Sequence, residues 1–136
     1  MQRAETKARA RALQMLYAWE LKGRPDMAVV ARRMPAGGLG VRQRAEASRL
    51  ASAVVKDVTE LDKDIADAAN NWRFERIGVV ERNILRLGLH ELLNLDLPAP
   101  VAIDEAVKLA HWFAGAKAPG FVNGVLDGLA RRLGRL

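Results

Sequence analysis

Two histidines, His90 and His111, are the residues of this 136-residue chain with the widest chemical range. An imidazole can act as a general base, a nucleophile or a metal ligand. His90 opens the stretch HELLN, which begins like the zinc-binding HExxH helix. That motif needs a second imidazole one turn on, so that both nitrogens point at one metal. Asn94 stands at that position, so zincin chemistry fails. Neither histidine has a ligand set near it in sequence, and each reads as a partly buried side chain or a surface contact. Ser48 and Ser52 are the only serines, and both lie on a polar helical stretch with no histidine alongside. A Ser–His–Asp arrangement is therefore not expected. The absence of cysteine removes thiolate catalysis, disulfides and Cys-based zinc sites. GGLG (37–40) matches neither the P-loop nor the dinucleotide fingerprint, and no strand pattern precedes it. Asp62 and Asp64 lie two apart on a helical pattern and point in different directions, which reads as a solvated face. No catalytic residue, metal or cofactor is expected, and the chain does not read as an enzyme.

Binding is the better-supported class. The net charge is +6, but it is segregated. Residues 1–56 carry 12 basic and 4 acidic side chains, residues 57–105 carry 5 and 11, and residues 106–136 carry 5 and 1. Both ends suit a polyanion, and the middle suits a cationic partner. In the first helical stretch, Leu13, Leu16, Tyr17, Glu20 and Leu21 fall on or beside one arc, with Ala12 and Trp19 at its edge. Lys7, Arg11, Ala18 and Lys22 follow the other side. Arg3 and Arg9 add charge near the start, where cations oppose the positive end of the helix dipole. Cations held there suit phosphate, and Tyr17 nearby could stack on an unpaired base, a mode that favours single-stranded RNA. The alternative is a solvated basic face with a core tyrosine. The acidic stretch DVTELDKDIAD (57–67), with Glu75, Glu81 and Glu91, suits a basic protein partner. Glu81 is equally justified as a favourable charge in the first turn of its helix.

The elements that would hold these residues are helical throughout, because apolar periodicity is helical and β-branched alternation is scarce. Helices are expected near 4–22, 26–34, 42–57, 60–71, 79–95, 104–114 and 121–133. AGGLG (36–40), RFERIG (73–78) and DLPAPVAI (96–103) read as breaks. Pro98 and Pro100 favour an extended path, so a helix should restart only after Ile103, with Asp104 as its N-cap. The stretch 79–95 is apolar at Val79, Val80, Ile84, Leu85, Leu87, Leu89, Leu92, Leu93 and Leu95, and should be the most buried helix. Near the C-terminus, FVNGVLDG (121–128) places Gly124 and Gly128 one turn apart. They read as a smooth strip for close approach of another helix, with Asp127 pairing Arg131 at i+4. The fold class is all-α, a compact bundle of six to seven helices. No apolar run reaches the roughly 18 residues of a membrane span, and the N-terminus lacks a signal-type stretch, so the cytoplasm is expected.

Several ordered stretches carry a resemblance: RARALQMLYAWEL (9–21), Trp72, ERNILRLGLHEL (81–92), VAIDEAVKLAHWFA (101–114) and FVNGVLD (121–127). Together they resemble the NusB family of bacterial transcription antitermination factors, over nearly the whole chain and least from 23 to 56. The resemblance implies two three-helix subdomains, roughly 1–57 and 58–136, in a single RNA-binding domain. It implies a non-enzymatic adaptor that pairs with NusE, which is also a small-subunit ribosomal protein. The pair binds boxA single-stranded RNA and joins RNA polymerase and other Nus factors, suppressing termination and supporting ribosomal RNA transcription. The family's arginine-rich N-terminus matches Arg3, Lys7 and Arg9, with Arg11 added. Its helix-one aromatic matches Tyr17, and the loop before its last helix matches Lys117 to Phe121. Its acidic NusE contact matches Glu81, with Arg82 and Glu75 as neighbours. Two departures stand out. Glu5 and Thr6 interrupt the basic arm, and APGF (118–121) replaces the usual polar S-x-x-F.

Two other readings stay open. A NusB-like domain also occurs at the N-terminus of some ribosomal RNA cytosine methyltransferases, so a fragment of such an enzyme would fit. A structural helical homodimer covering its own basic face would also fit.

Overall fold

Helical periodicity is realised along the chain in the computed structural model, which describes residues 3–70 and 73–136. Trp72 lies outside the described residues. Seven α-helices and one 3-10 turn form, with no strand among the described residues. The chain divides into two compact units, Met1–Lys56 and Asp57–Leu136.

In the first unit, helix α1 (Ala4–Leu21) packs on α3 (Val41–Lys56), and the short α2 (Met27–Arg33) touches both. Ala47, Leu50, Ala51 and Val54 repeat at the spacing that puts them on one side of α3, and all four are buried. Ala8, Ala12, Met15 and Trp19 do the same on α1. The chain leaves α1 through Gly23 and Arg24, both left-handed at φ 82° and 62°. Arg24 N–H then bonds back to the Trp19 carbonyl at 2.8 Å, closing the helix end. Asp26 starts α2 by accepting from Ala28 N–H at 3.0 Å.

The second unit contains α4 (Val58–Ala68), the 3-10 turn Phe74–Arg76, α5 (Val79–Leu92), α6 (Ala99–Phe113) and α7 (Ala118–Arg132). Helix α5 touches α4, α6 and α7 and is buried at every position from Asn83 to Leu89. The apolar stripe was expected to run on to 95, but the helix ends at Leu92, and Leu95 is 81% exposed. The Arg135 guanidinium donates to the carbonyls of Leu92 and Leu97 just beyond that end.

Further expectations are corrected. Helix α6 starts at Ala99, with Pro98 as N-cap and Pro100 in the first turn. A proline costs nothing there, because first-turn N–H groups have no intrahelical acceptor. Asp104 therefore caps nothing; it sits inside the helix, 3.7 Å from Lys108. Pro119 lets α7 begin at Ala118, earlier than the expected 121, by the same logic. The glycine strip is also reassigned. A β-carbon on Gly124 or Gly128 would meet nothing within 4 Å. The close approach is at Gly88, where a β-carbon would stand 2.6 Å and 3.0 Å from the Leu126 methyl carbons and 3.4 Å from Ala106. The expected Asp127–Arg131 pair forms at 2.9 Å.

Arg86 of α5 is fully buried and binds Asp62 through two bonds, Nε–Oδ1 at 2.6 Å and Nη2–Oδ2 at 2.8 Å. Asp62 is thus not part of a solvated face. A third bond of 2.9 Å runs from Arg86 to Asn83, which itself donates to the Val79 carbonyl. The arrangement uses the planar guanidinium fork and satisfies its donors inside the unit.

Candidate nucleic-acid interface

Helix α1 turns about 100° per residue, so positions 3, 7, 14, 17 and 21 line one side. Arg3, Lys7, Gln14, Tyr17 and Leu21 are all exposed, and Tyr17 keeps 41% of its surface. Two cations and an aromatic ring thus share one open stripe. Tyr17 and Leu21 are expected on or beside the core arc, but the structure exposes both on the side of Lys7. The buried arc of α1 keeps Leu13, Leu16, Ala12 and Trp19, as expected, and extends further round the helix through Ala8 and Met15.

That shift has a cost for two expected contacts. Arg9 lies in the middle of the packed arc and is 9% exposed. Its charge acts on Glu46, whose carboxyl is held below the ordinary glutamate range mainly by the hydrogen bond from Arg49, with Arg9 adding to the pull. Arg11 sits at the arc's edge, is 8% exposed, and faces a cleft inside the first unit. Both are expected RNA contacts, and the structure places both on the packed side of α1 rather than on the open stripe.

The second unit brings other candidates together. Glu81, Lys117 and Phe121 line one cavity of about 430 Å³, along with Arg76, Ile77 and Gly78. Glu81 and the Lys117–Phe121 loop were assigned to separate partners, a protein and RNA, so their meeting is a product of the fold. Lys117 is the N-cap of α7 and exposed; Phe121 is half-buried one turn further on. Gly78 is the N-cap of α5, and the Glu81 carboxylate folds back into the space a β-carbon on Gly78 would fill. This is the posture of an N3 glutamate in a capping box. It also places a negative charge at the positive end of the α5 dipole.

The neighbours of Glu81 behave differently. Glu75 is exposed on the 3-10 turn and does not line the cavity. Arg82 donates to the Ile77 carbonyl at 2.9 Å and lies over the Phe74 ring at 5.8 Å. Arg86 lies over the same ring at 5.6 Å, so Phe74 holds the turn beside two guanidiniums. Arg76 was missed in the sequence, where RFERIG read only as a break. A cation two residues before the α5 cap was its available signal.

Among the described residues, no group of three or more His, Cys, Asp or Glu could hold a metal ion. His111 is exposed in the last turn of α6, and His90 is engaged near the end of α5. Among the described residues, no helix is long and apolar enough to cross a membrane.

Known proteins agree with this architecture. The family model described as NusB family matches residues 6–131. The Transcription antitermination protein NusB of Sorangium cellulosum (strain So ce56) is 42% identical over 98% of this chain and 96% of its own length. The solved structure of NusB from T. maritima superposes with a TM-score of 0.86 at 27% identity, covering 96% of this chain and 93% of that one. A crystal structure of antitermination factors NusB and NusE in complex with dsRNA matches with a TM-score of 0.79 at 29% identity, over 97% and 99% of the two chains. With the family model spanning most of its length and full-length relatives above 30% identity, the chain belongs to the NusB family.

Proposed function

We propose that this chain is a non-enzymatic, cytoplasmic RNA-binding factor that pairs with a NusE-type ribosomal protein on boxA-type RNA and supports transcription antitermination. Further partners in this reading are RNA polymerase and the other Nus factors. The observation that carries it is the open stripe of α1, where Arg3 and Lys7 offer cations to phosphate and Tyr17 offers a ring to an unstacked base. The names of the matched relatives support it: one is a transcription antitermination protein, and another was crystallised with NusE and dsRNA. The exposed ring favours an unpaired strand at the α1 stripe, since stacking needs a splayed base.

The cavity of the second unit fits the protein side of the same reading. Its single carboxylate, Glu81, suits a cationic group of NusE, while Lys117 and Phe121 at the same cavity suit the RNA. Glu75 is a rim contact in this reading, and Arg82 contributes by holding the turn rather than by touching a partner.

The test is binding of boxA RNA, a scrambled strand and a duplex, each with and without NusE. Tighter binding of the boxA strand, strengthened by NusE, is the expected result. With Arg3, Lys7 and Lys117 as phosphate contacts, the log–log salt slope should be roughly −2. Equal affinity for all three RNAs under both conditions would reduce the function to generic polyanion binding.

A further inference from the structure

The first unit holds a cavity of about 380 Å³ that the RNA stripe does not use. Its polar lining comes from Arg11 and Arg44 and the Ser48 hydroxyl; Met15, Met34 and Val41 supply apolar wall. Arg11 is only 8% exposed, yet its guanidinium makes no hydrogen bond or ion pair with any described residue. No side-chain nitrogen or oxygen among the described residues is both sealed from solvent and unpartnered. The Arg11 guanidinium therefore keeps its remaining surface, which opens on the cavity.

The unit's own carboxylates do not reach it. Glu5, Glu20, Asp26 and Glu46 are the four acidic residues before position 57, and none lines the cavity. Asp26 caps α2, Glu46 pairs with Arg49 at 2.5 Å, Glu20 lies 3.8 Å from Arg24, and Glu5 is exposed at the start of α1. Arg11 and Arg44 thus bring two cations to one half-open space with no carboxylate lining it, and their mutual repulsion favours an anion there. Arg11 Nη1 also lies 3.4 Å from where a β-carbon on Gly37 would stand, which puts the guanidinium beside the loop that leaves α2.

An anion entering the cavity would supply the missing charge. Its volume is far more than a bare ion needs and falls in the roughly 300–1,000 Å³ range of small-ligand sites. The thioethers of Met15 and Met34 suit a ring lying against them. We propose that this cavity binds the phosphate group of a nucleotide through Arg11, Arg44 and Ser48, with the base or sugar on the Met15, Met34 and Val41 wall. The nucleotide is either free or part of an RNA strand. The site does not involve Arg3, Lys7 or Tyr17, and it stands whether or not those residues bind RNA.

The guanidinium Nε–Hε signals of Arg11 and Arg44 in NMR spectra of the intact protein report on this site. The titrants are adenosine monophosphate, inorganic phosphate, adenosine, a short RNA and sodium chloride at matched ionic strength. Adenosine monophosphate should shift both signals saturably, phosphate should shift them more weakly, and adenosine should not. Arg44→Gln should weaken binding by about tenfold or more, the worth of one charge-assisted contact. Arg11→Met should abolish binding while leaving the ligand-free protein at least as stable. A shift from the RNA alone would keep the phosphate chemistry and name the strand as its source. No saturable shift from any phosphate-bearing ligand, or the same shift from sodium chloride, would overturn the proposal. A lower melting temperature for Arg11→Met would do so as well, because the guanidinium would then be a structural group.

Discussion

Gly88 of α5 faces Leu126 of α7 so closely that a β-carbon on the glycine would stand 2.6 Å from a leucine methyl carbon. Leu126 is fully buried. Gly88→Ala should therefore lower stability by about 1–3 kcal/mol through overpacking. Gly124→Ala and Gly128→Ala meet nothing within 4 Å and should each raise stability by up to about 1 kcal/mol through helix propensity. Urea denaturation of the three variants checks the contrast. A Gly124→Ala variant as damaging as Gly88→Ala would contradict this packing.

Asp62 and Arg86 are 24 residues apart and joined by two short bonds. Asp62→Ala removes both carboxylate bonds from a buried guanidinium and should cost about 3 kcal/mol. Replacing both members by apolar residues should recover much of that loss, as chemical denaturation of the double variant would report. The 3-10 turn should loosen in the single variant, because Arg86 also faces Phe74.

Lys7→Glu should weaken RNA binding about tenfold without changing the melting temperature, since Lys7 is exposed. Tyr17→Ala should cost about 1–3 kcal/mol of binding if one base stacks on the ring. Arg9→Glu should instead destabilise the fold, because it places a carboxylate within the packed arc and near Glu46. Binding curves and melting curves on the same three variants separate the two roles.

Glu81→Lys should reduce NusE affinity about tenfold or more, roughly 1.4 kcal/mol. Gly78→Ala offers a subtler probe, because the new methyl group would displace the Glu81 carboxylate without altering its charge. It should also weaken NusE, and calorimetry on both variants would read the effect. Full NusE affinity in both would remove Glu81 from that contact.

Glu46 titrates below the ordinary glutamate range, so it stabilises the folded chain at neutral pH. That contribution is complete above the ordinary value and fades as pH falls through the lowered one. It is small, because the pair with Arg49 is open to solvent. Arg49→Ala should move the Glu46 carboxyl midpoint upward, as a carbon-detected NMR titration would show. An unmoved midpoint would mean that Arg49 is not the main cause.

Much of this protein is legible in its sequence. Helical periodicity and the scarcity of strand patterns determined an all-α chain, and the ordered motifs from RARALQMLYAWEL to FVNGVLD were sufficient to place it in its family. The i+4 pair Asp127–Arg131 was also readable, because both partners lie within one helical turn. Other features required tertiary packing. Amphipathic spacing ranks the sides of a helix but does not say how wide the covered arc will be. That width put Arg9 and Arg11 inside and left Tyr17 beside Lys7. Local propensity likewise marks a glycine without saying what approaches it, so only the packing of α5 on α7 could choose Gly88 over Gly124. The Asp62–Arg86 pair and the meeting of Glu81 with Lys117 and Phe121 join residues far apart in the chain, and folding alone decides such proximities.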